Sequence, residues 1–382
     1  MPRKLLPLLL LALSAPAWGA YLDYVPITIA ANMVTATATN KTVFLHFSGN
    51  QFKAGAGYIQ HTCTFNGQTV PADFVVSPNN AGTSPYSFEE AYWNQSTGDL
   101  YVYAMIPSIT TAGMTVYGVL NNSAITTYQG GAVGAAWASY QAAVFHGYNG
   151  SLLDSTSNAN NGGTNYGATA DFSGPTGGGW AFNAGSSQYV SIPNSASLNR
   201  YGSMPVLVEV LYYASSMPTG GSTIAGLVAK EAIGGAATGY GLAWEAVADY
   251  GVRVGMNGGI TGPVIGSTQN AWIVAVGQWD GGGYWNGWTD GVHDGYSTGT
   301  PASNTGPLII GSDQAFGGYW NGKIAEIRVF NAIPDYLPDT DSTQPDDYNN
   351  IVLYSTYLSQ GTFVGGTGGG GAATVTMTPI IM

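Results

Sequence analysis

Cysteine is nearly absent from this chain of 382 residues, in which Cys63 stands alone. A single thiol cannot form an internal disulfide, so the fold must be held together by its hydrophobic core. Cys63 alternates with polar residues and shares a strand face with Ile59 and Phe65. This pattern favours a small buried hydrophobe over a reactive thiol.

Charged residues are also scarce, at 8% of the chain, with 9 Lys and Arg against 21 Asp and Glu. Contacts with phosphate groups need Lys and Arg. The composition therefore disfavours nucleic acid and anionic membrane surfaces as partners.

Long apolar runs are missing except near the N-terminus. The basic pair Arg3 and Lys4 precedes the apolar run Leu5–Leu13, and small residues in an A-x-A-like pattern follow it. This order is typical of a secretory signal peptide over residues 1–20, and it predicts a secreted or cell-surface protein. Because no later stretch reaches about 18 apolar residues, we expect no membrane insertion after signal cleavage. The cleaved chain would carry seven basic and 21 acidic residues, a formal charge of −14.

Glycine and aromatic residues are abundant, with 56 Gly, 25 Tyr and 10 Trp. This composition favours strands and turns over helices. Short alternating strands recur about every ten residues, and Asn66-Gly67 is a strong hairpin signal. We predict an all-β protein of two β-sandwich domains, 21–135 and 136–331, with an acidic and Gly-rich tail over 332–382.

The tail ends in a Gly-rich linker, residues 365–371, and a possible strand, residues 374–382. A tethered strand can pair with an exposed sheet edge of its own or a neighbouring chain. Self-association through this strand is one expectation, and a frayed terminus is the alternative.

The second domain carries a series of family motifs. They are Asp154–Gly162, Trp180–Asn183 with Tyr189–Pro193 as a hairpin, Lys230 with Tyr240–Leu242, Trp272–Gly281, Trp288–Gly291, and the closing strand Gly322–Asn331. In this order and spacing they resemble the LamG-like jelly-roll domains of the concanavalin A-like lectin and glucanase superfamily. The resemblance implies a concanavalin A-like jelly roll.

The first domain resembles a domain of unknown function that often precedes LamG-like domains in exported bacterial proteins. The residues that carry this resemblance are Tyr24–Ile29, Phe88–Asn94, Leu100–Pro107 and Thr115–Gly118. Such a family implies no activity.

Paired catalytic carboxylates are missing from any one strand. The glucanases of the superfamily carry a nucleophile and an acid/base at alternating positions, but Glu89 and Glu90 are adjacent and Glu326 stands alone. The four histidines show no metal-binding spacing. We therefore expect a protein that is not an enzyme.

A calcium site is predicted in the loop that begins at Asp154, because hard cations take carboxylate and carbonyl oxygens. Asp154 is the first candidate ligand, and Asn158 and Asn160 support it. The alternative is that these side chains only shape the turn by hydrogen bonds to the backbone.

Sugar binding would use aromatic rings that stack on pyranose C–H groups, together with polar side chains at the rim. The candidate carbohydrate-binding residues are Tyr284, Trp285, Trp288, Asp313, Tyr319 and Trp320. The alternative places the tryptophans in the core, because one face of each strand must be buried.

These observations favour an exported, non-catalytic glycan-binding or adhesion protein of a cell surface, matrix or virion, with glycans or surface polysaccharide as partners. A structural subunit of an extracellular filament or sheath is the first alternative. A glycan-degrading enzyme is the second.

Overall fold

The computed structural model describes residues 21–29, 31, 37–216, 224–230, 239–245, 251–254, 265–266, 269–289, 292–313 and 317–333. Over these residues the chain is built from antiparallel strands, as predicted, and helix is limited to short 3-10 turns at Asn50–Phe52, Tyr148–Gly150 and Ala184–Ser186. No helix in this described part is long and apolar enough to cross a membrane.

The first domain is a sandwich of two small sheets. Its strands are β1 (Asp23–Ile29), β2 (Ala38–Phe47), β3 (Thr62–Phe65), β4 (Gln68–Pro71), β5 (Val75–Ser77), β6 (Ser87–Asn94), β7 (Asp99–Ile109) and β8 (Met114–Leu120). One sheet has the order β1-β8-β5 and the other β2-β7-β6, and β3 pairs with β4 as a separate hairpin. Alternating side chains from both sheets, such as Ile27, Leu45, Val102 and Val116, form one core between them.

The Asn66-Gly67 turn closes the β3–β4 hairpin, as the sequence predicts. Both residues have positive φ, 44° and 75°, which is the backbone conformation that this turn needs and that asparagine and glycine tolerate best. Cys63 lies on this hairpin and is half-buried. Burial, with the nearby Glu90 charge, raises the pKa of its thiol to about 11, so the thiol stays protonated near neutral pH.

The second domain begins with β9 (Gln141–Phe145), β10 (Thr164–Tyr166), β11 (Thr169–Ala170), β12 (Trp180–Phe182), β13 (Tyr189–Ile192), β14 (Val206–Ala214), β15 (Ile224–Lys230) and β16 (Tyr240–Glu245). It continues with β17 (Gly251–Val254), β18 (Ile265–Gly266), β19 (Trp272–Trp279), β20 (Tyr284–Thr289), β21 (Val292–Thr298), β22 (Leu308–Ile310), β23 (Ser312–Asp313), β24 (Gly318–Tyr319) and β25 (Gly322–Phe330).

These strands form two facing sheets. One has the order β10-β13-β22-β15-β16-β17-β18, and the other β11-β12-β25-β14-β19-β20-β21 with β9 on the far side of β25. The opening strand β9 therefore pairs directly with the closing strand β25. The prediction of a hairpin between 180–183 and 189–193 is wrong, because β12 pairs with β25 while β13 pairs with β10 and β22. The chain crosses between the sheets at this point.

Aromatic side chains fill the space between the facing sheets. Trp180, Trp244, Trp279, Trp285 and Trp320 are each at most 2% exposed and belong to one core cluster. With the disulfide excluded, this burial supplies the main favourable free energy of folding for the domain.

The two domains meet face to face. Phe44 and Tyr103, on the outer face of the β2-β7-β6 sheet, pack with Trp137 and Val144 in a buried cluster. The Thr42 hydroxyl donates to the Ala136 carbonyl at 2.6 Å. The β9–β25–β14 side of the jelly roll is thus covered by the first domain.

Candidate functional site

Most of the predicted sugar-binding residues lie in the interior. Trp285 is 2% exposed, Trp288 4%, and Trp320 and Asp313 0%. Trp285 packs against Trp279 with ring centroids 5.2 Å apart in the inner core, while Trp288 joins a cluster on the outer face of its sheet. Both faces of β20 are covered, so the prediction that these four side chains form a sugar site is wrong, and the core alternative describes the tryptophans.

Tyr284 and Tyr319 are the predicted residues that reach the surface. Tyr284 is 43% exposed at the start of β20, whereas Tyr319 lies on β24 and is half-buried. They belong to different sheets, so the structure does not bring the predicted six together as one site.

Tyr319 belongs instead to a surface group that we call the tyrosine platform, made of Tyr166, Tyr189 and Tyr319. Tyr166 on β10 and Tyr189 on β13 are directly opposite in the antiparallel register, and their rings are stacked with centroids 4.2 Å apart and an interplanar angle of 15°. The Tyr319 ring follows at 6.3 Å from Tyr189. Tyr166 is 48% exposed.

The geometry of the platform follows from strand pairing. Side chains directly opposite on one face of an antiparallel pair stand about 5 Å apart, which lets two planar rings stack. Burial and the neighbouring Tyr166 raise the pKa of Tyr189, so its hydroxyl stays neutral at physiological pH. The platform thus offers aromatic surface together with neutral hydroxyl groups at the protein surface.

The Asp154 loop is a closed hydrogen-bonded turn. Asp154 is fully buried, and its Oδ1 accepts from the backbone N–H groups of Val144 (3.0 Å) and Thr156 (2.9 Å). Its Oδ2 accepts from the Thr156 hydroxyl (3.0 Å) and from the backbone and side-chain nitrogens of Asn160 (2.9 and 2.7 Å). A cation would have to replace these donors, so the carboxylate does not fit calcium in this arrangement.

The two asparagines also turn their donors inward. The Asn158 amide donates to the carbonyls of Gln141 and Ala142, and the Asn160 amide donates to Ala142 as well. The Asn160 carbonyl oxygen accepts from the hydroxyls of Ser195 and Ser197. Within the described ranges no group of three or more His, Cys, Asp or Glu side chains could hold a metal ion. The turn-shaping alternative describes all three side chains.

A buried charge network lies where the domains meet, and Glu326 is at its centre. Glu326 accepts hydrogen bonds from Arg328, from the Tyr103 hydroxyl of the first domain, and from His146 Nδ1 at 3.3 Å. Burial alone would raise the pKa of Glu326, but the Arg328 charge and the bonds from His146 and Tyr103 lower it to about 2. The carboxylate is therefore ionised and fully used by the protein.

Glu89 stands on the other side of His146. Its Oε2 accepts from Trp137 Nε1 at 2.5 Å and its Oε1 from the Ser155 hydroxyl at 2.5 Å, and His146 Nε2 lies 3.7 Å from Oε1. Burial raises the pKa of Glu89, against the opposing effects of His146, Ser155 and Trp137. Two carboxylates thus flank one imidazole, but at 4% and 1% exposure neither has the open position that a glycosidase needs for its substrate.

Sequence reasoning missed the pairing behind both arrangements. It considered Glu89 and Glu326 separately and did not single out Tyr166 or Tyr189 as sugar contacts. The contacts join residues 223 positions apart for Tyr103–Glu326 and 180 apart for His146–Glu326. Only the aromatic-then-polar pattern of Tyr166 and Tyr189 on short exposed strands offered a local signal.

The comparisons with known proteins identify the fold of the second domain. Residues 183–333 match the family model Laminin_G_3, which is described as the concanavalin A-like lectin/glucanases superfamily. This confirms the resemblance to LamG-like domains and the concanavalin A-like jelly roll. No curated protein matches the chain.

Solved structures with a related arrangement cover about half of this chain. Domain 4 of AbnA, a GH43 extracellular arabinanase from Geobacillus stearothermophilus in complex with arabinotriose, is 16% identical with a TM-score of 0.39 and is aligned over 50% of this chain and 92% of its own. The binding domain of Paraclostridial Mosquitocidal Protein 1 is 10% identical with a TM-score of 0.42, over 51% of this chain and 50% of its own. The receptor-binding domain of botulinum neurotoxin mosaic serotype C/D is 12% identical with a TM-score of 0.36, over 56% and 50%. This chain thus spans about half the length of the two toxin domains.

Proposed function

We propose that this chain is an exported, non-catalytic glycan-binding protein that holds sugars on the tyrosine platform of its LamG-like domain and acts in adhesion at a cell surface, matrix or virion. The observation that carries the proposal is the stacked pair Tyr166 and Tyr189, extended by Tyr319, on an outer strand pair of the jelly roll. Aromatic side chains combine a large apolar surface with, in tyrosine, a polar end that forms hydrogen bonds. Both properties match a pyranose ring, which has C–H faces and a hydroxyl edge.

The absence of catalysis is part of the proposal and is supported by how the acidic residues are used. Glu326 is ionised and paired with Arg328, and Glu89 accepts bonds from Trp137 and Ser155. A retaining glycosidase places two carboxylates about 5 Å apart around an open bond, and an inverting one places them further apart around a water molecule. Glu89 and Glu326 are instead separated by His146.

Export is supported by the basic-then-apolar pattern of residues 1–20 and by the low content of Lys and Arg. Residues 1–20 lie outside the described residues, as do the Gly-rich linker and the terminal strand. The filament alternative depends on that strand, and we propose no second function. Because the Asp154 carboxylate is occupied by protein donors, we propose that sugar binding does not require calcium at this loop.

A glycan array with the full-length exported protein tests the function, in the presence and absence of EGTA. The proposal predicts glycan binding that survives EGTA and is lost in Tyr166→Ala. Tyr201→Ala removes a tyrosine that is 39% exposed and outside the platform, so it serves as the matched control and should bind as the wild type does. Absence of binding to any glycan, or equal binding by both variants, would contradict the proposal.

A further inference from the structure

A narrow cleft opens between the two domains, beside the charge network and away from the tyrosine platform. The tip of the β3–β4 hairpin, with Asn66 and Gln68, forms one wall, and Tyr148 forms part of the other. Glu89, Glu90 and His146 also line it. The hairpin reaches the second domain, since a Cβ at Gly67 would come 3.3 Å from the Leu153 side chain.

Polar atoms in this cleft are buried without a partner. Both side-chain oxygens of Glu90 and Nε2 of His146 have no hydrogen-bond partner among the described residues, although Glu90 is only 1% exposed and His146 8%. A buried polar atom without a hydrogen bond costs about 1–3 kcal/mol, so nearly all such atoms in folded proteins are paired with protein, water or ligand.

The unpartnered atoms are suited to accept hydrogen bonds. His146 Nδ1 faces the ionised carboxylate of Glu326 at 3.3 Å, so Nδ1 carries the proton and Nε2 of the neutral imidazole is left as an acceptor. Glu90 adds two oxygens, and burial together with Asp73 raises its pKa well above the usual range. The lining of the cleft in the described part of the chain contains no Lys or Arg.

We infer that this cleft takes a small donor-rich group, the hydroxymethyl or amino end of a neutral or amino sugar, and excludes acidic sugars. Hydroxyl or ammonium protons would complete the bonds of His146 Nε2 and of Glu90, whereas a sugar carboxylate would meet two acidic side chains and no basic one. The rest of the ligand would lie at the mouth against Tyr148 and Phe172, whose rings are 5.9 Å apart and of which Phe172 is 53% exposed. The inference deepens the proposed function by naming the class of sugar, at a second place on the molecule.

A titration of the full-length protein, followed through the NMR signals of the His146 ring, tests this inference. The probes are methyl glucoside, glucosamine and glucuronic acid, and the His146→Gln variant assigns the signal among the four histidines. We expect the first two probes to shift the His146 signal and glucuronic acid to bind at least about 10-fold more weakly. No shift with any probe would overturn the inference, because the orphaned atoms would then be served by water alone.

Two variants separate this site from the tyrosine platform. Glu90→Gln keeps the shape of the side chain but removes its charge, so it should reduce the preference over glucuronic acid. Asp280→Asn, outside the cleft, should leave the preference unchanged. An unchanged preference in Glu90→Gln would count against the cleft, with folding checked by thermal melting. Tyr189→Ala should lower array binding without altering the His146 response, so failure of the platform and failure of the cleft give different results.

Discussion

Glu326 is buried among a guanidinium, an imidazole and a phenol, and its ionised form accepts hydrogen bonds from all three. Glu326→Gln should therefore destabilise the protein by about 3 kcal/mol at pH 7, because it leaves Arg328 without its closest opposite charge in a buried place. Chemical denaturation measures this change. Asp171→Asn, which removes the more exposed pair between Asp171 and Lys323, is the control and should cost less than about 1 kcal/mol.

The pH dependence of the same pair follows from the direction of the pKa shift. The folded-state pKa of Glu326 is about 2, below its ordinary value of 4.5. A lowered carboxyl pKa contributes stability that is fully present above about pH 4.5 and is lost as the pH falls toward 2. The difference in unfolding free energy between wild type and Glu326→Gln should therefore close over that range. A difference that stays constant with pH would contradict this assignment.

At the scale of elements, the Asp154 turn makes a prediction about calcium. Asp154→Asn replaces one acceptor oxygen by an amide that faces existing N–H donors, and it should destabilise the protein by about 1–3 kcal/mol. Because the carboxylate is already satisfied by Val144, Thr156 and Asn160, the loss should be the same with added calcium and with EGTA. Thermal melting measures both, and a melting temperature of the wild type that rises with calcium and not in the variant would refute the turn-shaping role.

Local signals in the sequence predicted elements well where one segment decides the structure. Asn66-Gly67 predicts its hairpin because the turn needs positive φ at both residues. The predicted hairpin between Trp180 and Ile192 is wrong because nothing local tells a chain reversal from a crossing between two facing sheets. Trp285 and Trp288 point to opposite faces of β20, and the sequence could not reveal that both faces are covered.

At the scale of the whole molecule, the two domains are joined by a packed interface as well as by the chain. Gly177, in the second domain, has φ of +87°, and a Cβ there would lie 2.6 Å from the rings of both Tyr92 and Tyr101 in the first domain. The sequence could not predict this contact, because it joins aromatic residues on β6 and β7 to a loop of the other domain.

Gly177→Ala should therefore weaken the interface. Gly202→Ala is a matched control, since Gly202 also has positive φ, +61°, but nothing lies within 4 Å of its added Cβ. Both variants pay the backbone cost of about 1 kcal/mol, and Gly177→Ala should cost about 1–3 kcal/mol more through overpacking. Urea denaturation compares them, and equal losses would mean that the domains do not press on each other at this point.

The central claim is that a LamG-like jelly roll binds sugar on its tyrosine platform. Calorimetric titration of the full-length protein with the strongest glycan from the array, repeated for Tyr189→Ala and Tyr201→Ala, tests it most directly. Loss of an aromatic contact at the centre of a binding site costs about 2 kcal/mol or more, so we expect Kd to rise at least about 10-fold in Tyr189→Ala. Tyr201→Ala should match the wild type. A Kd in Tyr189→Ala equal to that of the wild type would contradict the account.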